Sequence, residues 1–124
     1  MKIPRPIQER RRAIRIAESL PFHISGQGFE IEAKTLNISA TGALCRVSKN
    51  IPLMTQLKIG LVLPHHSKSS SQLKTLYLKG VVVRKEVSGD DPDVYDIALF
   101  FPDIRAADRK LLDAFIVRSH SAGA

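Results

Sequence analysis

The sequence predicts a mainly β fold: a six-stranded antiparallel β-barrel with a C-terminal α-helix and a flexible N-terminal segment. Three observations predict it. Six short runs of strand-forming residues follow one another closely between residues 20 and 101, separated by turn signals. Several of these runs alternate apolar with polar residues, the period of a half-buried strand. After Asp103 the apolar period lengthens to that of a helix.

The elements follow in order. Leu20–Ser25 leads into the turn Gly26-Gln27-Gly28, and Phe29–Lys34 alternates apolar and charged residues, so the two form a hairpin. The alternation slips at Thr35-Leu36, which predicts a bulge or a strand end. Gly42–Val47 is the third strand. Gln56–Leu63 is the fourth, with Leu57, Ile59, Leu61 and Leu63 on one face and Pro64 as its terminator. His65–Ser71 reads as a polar loop, and Leu73–Val87 as the longest strand, bent or bulged at Gly80. Gly89–Asp93 is a turn. Val94–Phe101 is the last strand, with Tyr95, Ile97, Leu99 and Phe101 facing inward. Asp103 is placed to cap a helix whose Leu111, Leu112, Phe115 and Ile116 share a face, and a polar stretch runs from Ser119. The domain is thus residues 20–120, with 1–19 a flexible lead carrying arginines and 121–124 a tail.

Composition narrows the function. The chain has 124 residues, enough for one domain with its own core. A single cysteine, Cys45, excludes an internal disulfide framework, and no apolar leader or bilayer-length apolar run is present. Together these predict a reducing, cytoplasmic setting with no membrane insertion. The net charge of +7 is uneven: residues 1–20 carry six Lys or Arg against Glu9 and Glu18. Charge concentrated in one short segment favours a localised anionic partner over a broad nucleic-acid face.

Two motifs stand out. Arg11-x-x-x-Arg15 lies within Glu9-Arg10-Arg11-Arg12-Ala13-Ile14-Arg15. In a helix the two arginines share a face; in extended chain they stand roughly 13 Å apart, at about 3.3 Å per residue. Either arrangement flanks a ligand of dinucleotide size. A guanidinium pairs bidentately with a guanine edge, stacks on its plane and neutralises phosphate, whereas lysine loses the first two. A solvated basic tail is the plain alternative. The second motif is Asn37-Ile38-Ser39-Ala40-Thr41-Gly42, where strand character breaks. Asn and Ser side chains there either bond their own backbone in a turn or present donors and acceptors to a base, with Gly42 allowing close approach.

Both motifs in this order, with the barrel pattern between and after them, resemble the PilZ domain, a family of bacterial receptors for cyclic di-GMP. The resemblance covers essentially the whole chain, including Tyr95–Phe101 and the helix that follows. It implies a PilZ-like barrel of the split-barrel type and a ligand-binding role with no catalysis and no cofactor. Arg11 and Arg15 would grip guanine and phosphate, and Asn37, Ser39 and Gly42 would hold the ligand from the barrel. Arg10 resembles the residue that, in such proteins, favours an intercalated pair of ligands. Asn37 stands where Asp is commoner, which keeps an acceptor but removes a charge. The ligand would order the N-terminal arginines on the barrel and so signal to a downstream protein, in motility, biofilm exopolysaccharide or transcription.

Other readings have weaker support. A ligand-independent interaction module of type IV pilus or motility systems would tend to lack the arginine motif. A single-stranded nucleic-acid binder needs aromatic platforms, and two Tyr, five Phe and no Trp supply few. His65-His66 and Asp90, Asp91 and Asp93 lack the further ligands of a metal site, and Cys45 has no evident base.

Overall fold

Six strands close into an antiparallel barrel in the computed structural model, which describes residues 14–66 and 71–123. They are β1 (Pro21–Gly26), β2 (Phe29–Ile38), β3 (Gly42–Val47), β4 (Gln56–His66), β5 (Ser71–Val87) and β6 (Tyr95–Phe100), followed by α1 (Ala106–Gly123). Around the barrel the order is β1-β2-β3-β6-β5-β4, so β4 lies across from β3. Arg10, Arg11 and the rest of residues 1–13 lie outside the described residues, as do 67–70 and 124. The expectation of a flexible lead therefore falls largely outside them.

Alternation selects the inner face. Leu57, Ile59, Leu61 and Leu63 of β4 are all buried, as are Phe22 and Ile24 of β1 and Ile97 and Leu99 of β6. Tyr95 is only half-buried at the barrel end, and Phe101 is buried just past β6. Each fully buried side chain of this kind contributes about 1.5–3 kcal/mol, so the barrel lining is the main source of stability. The helix closes one side against β4, burying Leu112 and Ile116 with Leu111 and Phe115 partly covered.

The structure differs from the sequence reading at four places. Pro64 does not end β4: the strand runs on to His66, and Pro64 pairs with Leu73. β1 pairs with β4 only as far as Leu61, so Pro64 occupies an edge where a missing N–H is tolerated. His65 and His66 accordingly belong to a strand, paired with Gln72 and Ser71. Gly80 pairs in regular register with Leu57, and the irregularity of β5 falls at Val83, between Val82 and Arg84. Asp103 is not the helix cap: Arg109 N–H donates to the Arg105 carbonyl at 2.8 Å, which puts Arg105 at the cap position. The first-turn carboxylate is Asp108, paired with Arg105 at 3.5 Å. The helix also continues through the polar stretch from Ser119 to Gly123.

On β1, His23 lies between two carboxylates of β2. Its Nδ1 is 2.5 Å from Glu32 Oε2 and its Nε2 is 3.3 Å from Glu30 Oε1. The hydrogen bond to Glu32, reinforced by both negative charges, raises the imidazole pKa above 6.5. On its other flank His23 pairs with Gly60, which carries no charge. Because the folded-state value is the higher one, the stabilisation is fully present below about 6.5 and is lost as pH rises through the folded value. Thermal stability is expected to fall across that window, and Glu32→Gln should flatten the fall. Melting curves at closely spaced pH values check this, and superimposable pH profiles for the two proteins would refute it.

Candidate functional site

A backbone bridge brings the two sequence motifs together. Ile16 and Ile38 exchange both of their N–H···O=C bonds, each 3.0 Å, which lays the chain after the arginine motif alongside the end of β2. Arg15 and Asn37 each stand one residue before a partner of that bridge. Arg15 Nη1 donates to Asn37 Oδ1 at 2.7 Å, a contact between residues 22 apart in sequence. Arg15 is exposed and Asn37 half-buried, so one donor of the guanidinium fork is fixed at the protein surface.

Thr35 holds this approach in place, and the sequence reading missed it. Its buried hydroxyl donates to the Glu18 carbonyl and accepts from Leu20 N–H at 2.9 Å, while its own N–H donates to the Leu20 carbonyl at 3.0 Å. Thr35 opens the bulge between Thr35 and Asn37. The slip in alternation at Thr35-Leu36 was the signal. The extra residue turns Asn37 outward, opposite half-buried Leu44 of β3, while Ile38 returns to the core.

Ser39 and Gly42 do different work from Asn37. Ser39 is fully buried, and its hydroxyl lies within the turn, 3.2 Å from Thr41 N–H and 3.4 Å from the Gly42 carbonyl. The turn is closed by Ser39 N–H donating to Gly42 O at 2.8 Å. Phe101 N–H donates to Thr41 O at 2.8 Å, which ties the turn to the end of β6. Gly42 is buried, and a Cβ on it would lie 2.2 Å from the Leu99 carbonyl oxygen. The close approach it permits is that of β6. Arg15 and Asn37 thus form the exposed part of the site, and Ser39 and Gly42 fix the turn beside it.

An ion pair lies on the outer face of β3 and β6. Arg46 of β3 reaches Asp96 of β6 through Nε–Oδ1 at 2.8 Å and Nη2–Oδ2 at 3.3 Å. The hydrogen bond from Arg46 holds the Asp96 carboxyl below its usual range. On the inner side Cys45 is buried, and desolvation pushes its thiol up to about 12, so it stays a thiol within the core. Among the described residues no cluster of three or more metal-ligating side chains occurs, and no helix is long and apolar enough to cross a membrane. The site can do one thing chemically: offer a planar cation, an amide and a rigid turn to a flat or anionic ligand.

No curated protein matches the chain significantly by sequence. Among solved structures, the Bacillus subtilis inhibitor of motility MotI/DgrA superposes with a TM-score of 0.73 at 21% identity, over 89% of this chain and 51% of that one. Escherichia coli YcgR in complex with c-di-GMP gives 0.66 at 10% identity, over 92% and 47%. MrkH, described as a c-di-GMP-dependent transcription regulatory factor, gives 0.63 at 16% identity, over 91% and 52%. The chain spans about half the length of each, and at these identities the likeness is one of fold. The PilZ domain model, by contrast, matches residues 9–118, a span that holds both motifs, the barrel and most of the helix. The chain belongs to the PilZ domain family.

Proposed function

We propose that this PilZ domain is a receptor for cyclic di-GMP that passes the ligand signal to a protein partner and performs no reaction of its own. The observation that carries this reading is the 2.7 Å bond from Arg15 to Asn37, which unites the last residue of the arginine motif with the first of the turn motif. Solved PilZ-type neighbours include YcgR bound to c-di-GMP, which supports the choice of ligand. Arg15 supplies a fork for guanine or phosphate, Asn37 an amide beside it, and Ser39 and Gly42 the rigid turn. Arg10 and Arg11 stand five and four residues before Arg15, within reach of the same ligand at about 3.3 Å per residue. Ligand binding fixes these arginines against the barrel and changes the surface shown to the partner. A ligand-bound pair, intercalated base on base, is the form that Arg10 favours.

Isothermal titration of the full chain with cyclic di-GMP tests the reading. A saturable heat is expected, with about two ligands per chain if the pair forms. No heat from protein that circular dichroism shows to be folded overturns it in favour of a ligand-independent interaction module.

A further inference from the structure

The barrel carries a second surface, centred on Gly60 of β4 and flanked by β1 and β5. Three strands pair there in exact register. His23, Gly60 and Tyr77 form one outward row, and Ser25, Lys58 and Lys79 form the next. Gly60 contributes no side chain, so the first row has a notch between an imidazole and a phenol. The resulting groove has a volume of about 530 Å³, and its walls are mainly apolar. Beyond the notch the outer face continues through half-buried Val62 to exposed Pro64 and Leu73. Tyr77 is 79% exposed and Leu73 70%.

Folding does not account for two features of this surface. The first is Gly60 itself. A glycine inside a strand costs about 0.5–1 kcal/mol relative to alanine. Gly42 is required by the Leu99 carbonyl, and Gly28 and Gly89 by positive φ. Gly60 has neither reason: its φ lies outside the left-handed region, and a Cβ there would meet His23, Thr75 and Tyr77 at 3.6–3.9 Å, ordinary contact. A strand glycine in regular register, at neither a bulge nor a bend, is often a site where a ligand or another chain approaches closely. The second is Lys58 opposite Lys79, a like-charge cross-strand pair that is locally destabilising. Among the described residues, neither lysine is paired with a carboxylate. Both costs fall two residues apart on one strand, beside an exposed tyrosine of the kind that anchors interfaces.

We infer that this groove docks an extended segment of a protein partner, an aromatic side chain entering the Gly60 notch and a carboxylate two residues away meeting Lys58 and Lys79. The spacing follows from strand geometry: Gly60 and Lys58 are about 6.8 Å apart along β4, which is also the step between same-face side chains of an extended segment. The partner's apolar side chain fills the groove between His23 and Tyr77, over the buried Gly60, and its acid relieves the lysine pair. This identifies the partner face of the adaptor reading and rests on that reading for the partner's existence. It places the face on β1, β4 and β5, with Glu32 of β2 at its edge.

The test is an amide NMR titration of the full chain with the capped hexapeptide Asp-Glu-Phe-Ser-Glu-Asp, without cyclic di-GMP. Shifts that saturate and centre on residues 58–62 and 75–79 are expected, weakened roughly tenfold in Lys58→Glu and in Gly60→Leu. Should Gly60→Leu not fold, Lys58→Glu on the surface carries the test. Peptides with Lys replacing the acids, or Ala replacing Phe, are expected to bind at least about fivefold more weakly. The inference is overturned by any of four results: no shifts up to about 5 mM peptide; equal binding of the lysine peptide; shifts centred on residues 37–42; or the same amides moving on dilution of the protein alone, which marks a second copy of this chain as occupant. A separate addition of cyclic di-GMP, read at residues 37–42, reports on the ligand reading independently, so either can fail alone.

Discussion

Replacing Arg15 with alanine is expected to weaken cyclic di-GMP binding by about ten- to a hundredfold. A hydrogen bond to a charged group contributes about 1.5–3 kcal/mol, and each 1.4 kcal/mol is a factor of ten in affinity. Arg15→Lys is expected to recover little of the loss, because the ammonium keeps the charge but has no planar fork for a base edge and no face for stacking. Asn37→Ala should also weaken binding, by removing the acceptor that fixes Arg15. Asn37→Asp keeps that acceptor and should bind within a few-fold of the parent protein. Calorimetric titration of each variant, with the melting temperature as a check on folding, measures the series. Arg15→Ala titrating like the parent protein would remove Arg15 from the site and the joined motifs from the argument.

The bulge in β2 shows how much of this site was legible in sequence. The slip of alternation at Thr35-Leu36 marked its position, and the structure finds the register shift between Thr35 and Asn37. What the slip could not convey was its use. Thr35 ties down the segment behind Arg15 through three hydrogen bonds to residues 15 to 17 positions earlier in the chain, and no local pattern encodes such long-range pairing. Ser39 and Gly42 were legible as a turn, but which groups they serve depends on β6, more than fifty residues on. The strand errors have the same origin. Pro64 reads as a stop because local propensity assumes two strand neighbours, and only the barrel shows that β4 has outrun β1 there. Gly80 reads as a bulge because glycine is permissive, whereas its near contact with Ile59 of β4, 3.1 Å from a notional Cβ, makes it a packing residue. Period and punctuation predict elements well; they do not predict which edges are left open or which backbones meet closely.

Gly42→Ala is expected to cost about 3 kcal/mol of unfolding free energy, at the upper end of what overpacking usually costs. The reason is geometric. The new methyl would lie 2.2 Å from the Leu99 carbonyl oxygen, an atom of backbone with no rotamer to change. Retreat is blocked on both sides. Ala43 pairs with Leu99 and Gly42 with Phe100, and bonds from Ser39 N–H to Gly42 O and from Phe101 N–H to Thr41 O pin the turn. Relief therefore requires β3 and β6 to part, which also moves the turn that flanks Asn37. Gly60→Ala supplies the contrast. Its methyl meets three side chains at ordinary contact distance, so the variant should be neutral or more stable by up to about 1 kcal/mol. Gly80→Ala should fall between, because the group it meets, Ile59 Cγ1 at 3.1 Å, belongs to a side chain that can give way. Urea unfolding of the three variants tests the order, and a Gly42→Ala midpoint equal to that of Gly60→Ala would show that the β3–β6 seam is looser than its register implies. If the order holds, loss of ligand in Gly42→Ala is a consequence of the seam opening, and Arg15 and Asn37 remain the residues whose removal tests contact with the ligand itself.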